Sequence, residues 1–239
     1  MINGQHISVI IPVLNEELSI TSVIRDIPDQ VDRILVVDNG SIDRTREKSL
    51  AAGAEVICET RRGYGSACLA GIKAAGPTDI IAFMDGDYSD YPEDLDLVLR
   101  PVAEGCPDLV IGCRELLPEG KPAMPRHQMW GNRISCFLIG ILHGVRYRDL
   151  GPMRAIQRSS LEKLNMQDTD FGWTAEMQIK AFRMGLQVQE VPVRYRQRTG
   201  QSKISGTIKG SIMAGCKILY WTLRLILTSR KTNSAPSHS

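Results

Sequence analysis

Two aspartates one residue apart, Asp85 and Asp87, follow directly on an apolar run, Ile80-Ile81-Ala82-Phe83-Met84. Gly86 between them lets the backbone bend, so both carboxylates can reach one divalent ion. Hard oxygen ligands favour Mg²⁺ or Mn²⁺, which share their coordination with substrate phosphates. An acid-rich loop would carry the same spacing by chance, so the pair alone does not decide. An EF-hand is excluded, because Asp90 stands where that loop needs glycine and Asp96 where it needs glutamate. Asp38 ends a second apolar run and precedes Asn39-Gly40-Ser41. It either accepts hydrogen bonds from a base or ribose, or caps the helix that follows. Arg61-Arg62-Gly63-Tyr64-Gly65-Ser66 combines arginines that neutralise charge with glycines that admit a phosphate to backbone N–H groups, making Arg62 and Gly63 candidates for a diphosphate. It is neither a P-loop nor a dinucleotide fingerprint, lacking GK[ST] and the third glycine. Together these features point to a metal–pyrophosphate donor such as a sugar nucleotide.

The elements that must position these residues alternate. Short apolar or β-branched runs at Ile7–Val13, Arg33–Val37, Glu55–Cys58, Asp79–Met84 and Asp108–Ile111 predict strands. Helical stretches lie between them at Glu16–Asp26, Ser41–Ala52, Gly65–Ala75 and Pro92–Ala103, with Ser41 and Asp43 expected to supply N-terminal capping. That alternation predicts an α/β domain with a mostly parallel sheet, whose ligands bind beyond the carboxyl ends of the strands. Those ends are Pro12–Glu16, Asp38–Ser41, Asp85–Asp87 and Gly112-Cys113-Arg114. The second half is less regular: a Pro/Gly-rich loop at Leu116–Gln128, an apolar helix, helical stretches at Ser159–Leu164 and Thr174–Met184, and a strand at Val188–Val193. A basic loop, Arg194–Lys203, leads to a long helix.

At 239 residues the chain can bury a sizeable core, and its 43% hydrophobic and 23% charged content is that of a globular protein. The net charge of +2 hides an asymmetry: residues 1–110 hold 9 basic against 19 acidic side chains, and residues 111–239 hold 20 against 8. Two different partners are implied, and a nucleic-acid binder is disfavoured. Six cysteines without a CxxC pair argue against a zinc or redox site and fit reduced thiols in the cytoplasm. The N-terminus lacks the basic region of a signal peptide.

The ordered series Ser8-Val9-Ile10-Ile11-Pro12-Val13-Leu14-Asn15-Glu16-Glu17, Val36-Val37-Asp38-Asn39-Gly40-Ser41 and Met84-Asp85-Gly86-Asp87 resembles the family-2 inverting glycosyltransferases of GT-A fold. Within them the chain is most similar to the dolichyl- or polyprenyl-phosphate sugar synthases, from about Ile7 to Ile226. The resemblance implies a Rossmann-like GT-A domain over residues 1–203, with a nucleotide-sugar half (1–114) and an acceptor half (115–203). It further implies that Pro12, Asn15 and Glu16 line a nucleotide pocket and that Asp38 holds base or ribose. Asp85 and Asp87 would bind Mg²⁺ or Mn²⁺ bridging the diphosphate, with Gly86 between them and Arg114 nearby. Asp149 matches an acidic position before the acceptor loop. Arg198, Ser202 and Lys203 match a basic phosphate-handling motif, joined by Arg154. The donor would be UDP-glucose or GDP-mannose. There are departures: Ser89 stands where Gln is common, Leu14 for Tyr, Asn39 for Asp and Gly151-Pro152 for Ser/Cys-Gly, and the Arg198–Gly200 spacing is one residue short.

Residues 194–231 contain nine basic residues and no acid. On a helix over 204–231, Lys209, Lys217, Arg224 and Lys231 fall within an arc of about 80°. Broad apolar surface fills much of the rest, the pattern of an interfacial helix on anionic lipid, with a snorkelling core helix as the competing reading. Ile134–Val145 is a second such segment, with a buried core helix as its equal competitor. A disordered tail is expected over 232–239. The expectation is a peripheral enzyme on the cytoplasmic membrane face, taking polyprenyl phosphate as acceptor, with a membrane subunit or a second copy as partner. A lipid phosphate needs no general base, whereas a hydroxyl acceptor would, and Asp149 and Glu176 are the candidates. A soluble-acceptor glycosyltransferase is the main alternative. A non-catalytic scaffold and a nucleotidyltransferase also compete, the last lacking its Gly-rich entry loop.

Overall fold

The computed structural model describes residues 1–117 and 124–199, with Tyr220 and Arg224 beyond them. Ser202, Lys203, the tail and, apart from Tyr220 and Arg224, the expected interfacial helix lie outside these described residues. Seven strands form one sheet: β1 (Ile7–Val13), β2 (Arg33–Asp38), β3 (Glu55–Cys58), β4 (Ile80–Phe83), β5 (Leu109–Cys113), β6 (Arg154–Gln157) and β7 (Val188–Pro192). Their order is β3-β2-β1-β4-β6-β5-β7. All run parallel except β6, which is antiparallel to both β4 and β5. The sheet therefore continues across residue 114, taking β6 and β7 from the second half of the chain.

Helices α1 (Ile20–Arg25), α2 (Thr45–Ala51), α3 (Tyr64–Ala74), α4 (Leu95–Ala103), α5 (Arg126–His143), α6 (Arg158–Leu164) and α7 (Trp173–Arg183) cover the sheet. A strand buried on both faces needs apolar residues at consecutive positions, and β1 and β4 supply them. Ile10, Leu35, Ile81 and Phe83 face a cluster completed by Ala67 and Cys68 of α3 and by Trp173 of α7. Val9, Ile11, Val36 and Ala82 face the opposite cluster, with Val23 of α1 and Leu99 of α4. Phe83 meets Trp173 edge-on, ring centroids 5.9 Å apart.

Three departures from the predicted elements shape the site. Helix α1 starts at Ile20 rather than Glu16, because Ser19 and Ile20 donate their N–H groups to the Glu16 carbonyl and hold Glu16–Ser19 as a turn. Helix α2 starts at Thr45, so Ser41 does not cap it. Ser41 Oγ instead accepts from Asn15 N at 2.8 Å, while Ile42 N donates to Asn15 Oδ1 at 2.8 Å, knitting the β1 and β2 exit loops together. Asp43 does serve the first turn of α2, accepting from Thr45 N at 3.0 Å. Strand β6 is absent from the predicted set: four residues, Arg-Ala-Ile-Gln, carry too little periodicity to be read as a strand.

Candidate active site

Strands β1, β2 and β4 all stop at the same edge of the sheet, so Pro12–Glu16, Asp38–Asn39 and Asp85–Asp87 converge there. They open onto a cavity of about 390 Å³. Of the residues expected at the site, Pro12, Glu16, Arg62, Gly63, Asp85, Gly86, Asp87 and Arg198 line it. Gly86 sits where a Cβ would come within 2.6 Å of Val13 Cγ1, so the turn between the two aspartates lies flat on β1.

The two carboxylates differ. Asp87 is engaged: its Oδ1 accepts from Ser89 N at 2.9 Å and Ser89 Oγ at 2.6 Å, and its Oδ2 lies 3.4 Å from Arg198. Asp85 keeps Oδ1 buried and without a hydrogen-bond partner. Burial, then the Asp87 charge, push the Asp85 carboxyl up to about 7, against the opposing influence of Arg114, the Tyr64 hydroxyl and Arg198. Asp90 is fully buried beside them with both oxygens unpartnered, and burial together with the Asp85 charge raises its carboxyl well above the ordinary carboxylate range. An unspent carboxylate oxygen next to a second carboxylate suits a hard divalent cation that completes its shell on a diphosphate. Among the described residues no three or more His, Cys, Asp or Glu side chains form a closed cage. Asp85 and Asp87 would thus hold such an ion only jointly with its ligand.

The remaining expected residues stand back from the cavity lining. Asp38 is buried and accepts from Ser41 N at 2.9 Å, with Arg46 3.9 Å away. Asn15, at φ +52°, is spent on the loop junction described above. Arg114 and Asp149 form a buried fork beneath the site, with Arg114 Nη2 2.7 Å from Asp149 Oδ1. Burial would raise the Asp149 carboxyl, but the Arg114 charge and hydrogen bonds hold it below the usual range. Arg154 is wholly buried on β6, donating to the Gly151 carbonyl and, at 3.3 Å, to that of Thr174. Burial brings its guanidinium down to about 10. Glu176 is also fully buried: its carboxylate accepts backbone N–H bonds from Gln167 at 2.9 Å and Asp168 at 2.7 Å and pairs with Lys180 at 2.6 Å.

That last contact bears on residues for which the sequence yielded no role. Glu176 holds the start of a loop whose end, Asp170 and Phe171, lines the cavity together with Tyr64 and Ala67. The loop is pressed onto the start of α3, where Gly65 and Ser66 donate to the Asp170 and Thr169 carbonyls at 3.2 and 3.0 Å. Asn39 braces the same region, accepting from Gly63 N at 2.8 Å and donating to the Arg61 carbonyl at 2.8 Å. The available signal was the acid–aromatic pair Asp170-Phe171 immediately before a helix.

A mostly parallel sheet with flanking helices and an acid pair at the end of β4 is the arrangement of the GT-A fold. The chain belongs to glycosyl transferase family 2, whose model matches residues 8–165. It is 38% identical over 216 residues to an uncharacterized glycosyltransferase of Mycobacterium bovis, covering 88% of this chain and 95% of the relative. It is 34% identical to a dolichyl-phosphate hexose transferase of Haloferax volcanii, over 83% of this chain and 86% of the relative. Among solved structures it resembles glucosyl-3-phosphoglycerate synthase from Mycobacterium tuberculosis in complex with UDP, with a TM-score of 0.73 and 24% identity over 92% of this chain and 80% of that one. The protein is therefore a glycosyltransferase.

Proposed function

We propose that this glycosyltransferase moves a hexose from UDP-glucose or GDP-mannose to a polyprenyl phosphate at the cytoplasmic surface of a membrane. The observation that carries the lipid acceptor is helix α5. Its outer face presents Trp130, Ile134, Phe137 and Ile141, 60%, 54%, 66% and 64% exposed, at the helical spacing of one stripe. Its inner face grips the segment around Asp149: Asn132 accepts from Leu150 N at 2.9 Å and donates to the Arg148 carbonyl at 3.2 Å. An apolar stripe anchored to the acceptor side of the site suits a substrate whose tail stays in lipid. No helix among the described residues is long and apolar enough to cross a membrane, so this contact would be interfacial. The dolichyl-phosphate hexose transferase relative supports the same acceptor class.

In this reading the acceptor phosphate oxygen attacks the anomeric carbon while its bond to the nucleoside diphosphate breaks, the electron pair leaving with the diphosphate and configuration inverting. The phosphate is already an anion, so no side chain need remove a proton. A divalent cation held by Asp85 and Asp87 would offset the charge growing on the departing diphosphate. Arg198 adds a positive charge at the same edge. Pro12, Arg62 and Gly63 would enclose the nucleotide, with Tyr64, Asp170 and Phe171 lining the cavity beside them.

A thermal-shift screen of UDP- and GDP-sugars with Mn²⁺ or EDTA, followed by transfer assays, tests the proposal. A metal-dependent shift with one donor and transfer requiring polyprenyl phosphate are expected. Transfer to a soluble phosphorylated acid in the absence of lipid would overturn the acceptor and favour the reaction named for the phosphoglycerate synthase.

A further inference from the structure

Residues 194–199 form a strap laid along 87–91. Arg196 N donates to the Ser89 carbonyl at 2.9 Å and Thr199 N to the Asp87 carbonyl at 3.0 Å, and Asp90 bridges Tyr195. Cation–aromatic stacking clamps it: the Arg196 guanidinium lies 3.4 Å from the Tyr88 ring centre and 4.1 Å from that of Tyr91, while Arg194 lies 4.2 Å from Tyr91 and pairs with Asp94 at 2.6 Å. The backbone of the strap is thus held independently of Arg198. That side chain crosses the cavity edge, its guanidinium 3.1 Å from Glu16 and 3.4 Å from Asp87.

Two groups on this edge are buried and unspent, the Nε–H of Arg198 and Oδ1 of Asp85. A buried donor and a buried acceptor left open each carry a cost, and one ion cannot relieve both. An anion satisfies the first and a cation the second. Arg198 meanwhile supplies the positive charge that Asp87 would otherwise receive from a metal.

We propose that Arg198 is a resident counter-ion: it neutralises Asp87 in the ligand-free enzyme and transfers to the donor diphosphate when that binds, so that metal and nucleotide load together. The inference rests on the metal reading of Asp85 and Asp87. Without nucleotide a cation must compete with a guanidinium already in place. With nucleotide the guanidinium has a better anion, and Asp87 is released. The strap keeps Arg198 within reach of both positions.

The test is Mn²⁺ binding to the whole 239-residue chain, followed by the electron paramagnetic resonance signal of the free ion, with and without UDP. Arg198→Gln should bind Mn²⁺ without UDP about tenfold more tightly than the unaltered protein, because a competing charge is gone. The enhancement of Mn²⁺ affinity by UDP should shrink correspondingly in that variant, since coupling between the two ligands is reciprocal. Arg198→Lys, which keeps the charge, should behave like the unaltered protein and controls for misfolding. Unchanged or weaker Mn²⁺ binding by a folded Arg198→Gln protein without UDP overturns the counter-ion role. Failure of every form to bind Mn²⁺ even with UDP overturns the metal reading beneath it.

Discussion

Arg114 and Asp149, 35 residues apart in the chain, are joined by three hydrogen bonds. The Arg114 backbone N–H and Nε donate to Asp149 Oδ2 at 2.8 and 2.9 Å, and Nη2 donates to Oδ1 at 2.7 Å. Both side chains are almost wholly buried. The pair fastens the end of β5 to the segment ahead of β6, and only glycine fits at 151, because a Cβ there would stand 2.6 Å from the Gly112 carbonyl oxygen. Arg114 also lies 5.0 Å from the Tyr195 ring centre, so the fork supports the strap that carries Arg198.

Breaking that fork should be costly. Asp149→Asn leaves a buried guanidinium with a neutral partner, and a loss of about 3–5 kcal/mol in urea unfolding is expected. The pH dependence has a definite sign. The native Asp149 carboxyl titrates below its unfolded value, so its contribution is complete above the ordinary carboxylate pKa of about 3.9 and is lost as pH falls through the lower native value. Unfolding midpoints across an acid series should show this limb in the unaltered protein and lack it in Asp149→Asn.

Asp87→Ala should abolish sugar transfer, by about 10³-fold or more, while the protein stays folded. Asp87 sits at the end of β4 facing a cavity rather than inside either apolar cluster. Initial rates alongside a melting curve separate the two effects. A protein that unfolds would identify Asp87 as a structural ligand of Ser89 instead.

Gly65→Ala tests the wall formed by Asp170 and Phe171. A Cβ at Gly65 would fall 2.1 Å from the Asp168 carbonyl oxygen, a backbone atom that cannot swing aside. Either α3 or the 168–171 loop must retreat, with an expected cost of about 1–3 kcal/mol. Donor-sugar affinity should fall more than the affinity for the free nucleoside diphosphate, as read by titration calorimetry.

Replacing Trp130 and Phe137 together by serine should abolish binding to anionic lipid vesicles in a flotation assay. The melting behaviour should stay within about 0.5 kcal/mol of the unaltered protein, because both side chains face solvent. Retained vesicle binding would shift the membrane contact away from α5.

Much of the front half was legible because its information is local. The runs Ile7–Val13 and Ile80–Met84 end in polar residues within one or two positions, so both strands and the acid pair Asp85 and Asp87 could be read from patterning, whereas the pocket role of Glu16 came with the family resemblance. Capping was less transparent. Ser41 has the right residue type before a helix, yet its hydroxyl is taken by the Asn15 N–H. The competition was between a local and a distant donor, and only proximity decides that. Glu176 likewise lies on a helix of mixed character, and the demand of the Gln167 and Asp168 N–H groups for an acceptor keeps its carboxylate in the interior.

The sequence by itself therefore determined the order of the elements in the front half, the strand ends that meet at one edge and the acid pair there, since each depends on residues within a few positions of one another. Tertiary structure alone decided the insertion of β6 between β4 and β5, the burial of Arg154 and the pairing of Arg114 with Asp149. It also decided the closure of the 168–171 loop on α3 and the reach of Arg198 to Glu16 and Asp87. Each of these is settled by which surfaces meet across long stretches of chain, where a buried donor or charge takes whichever partner the packing brings to it.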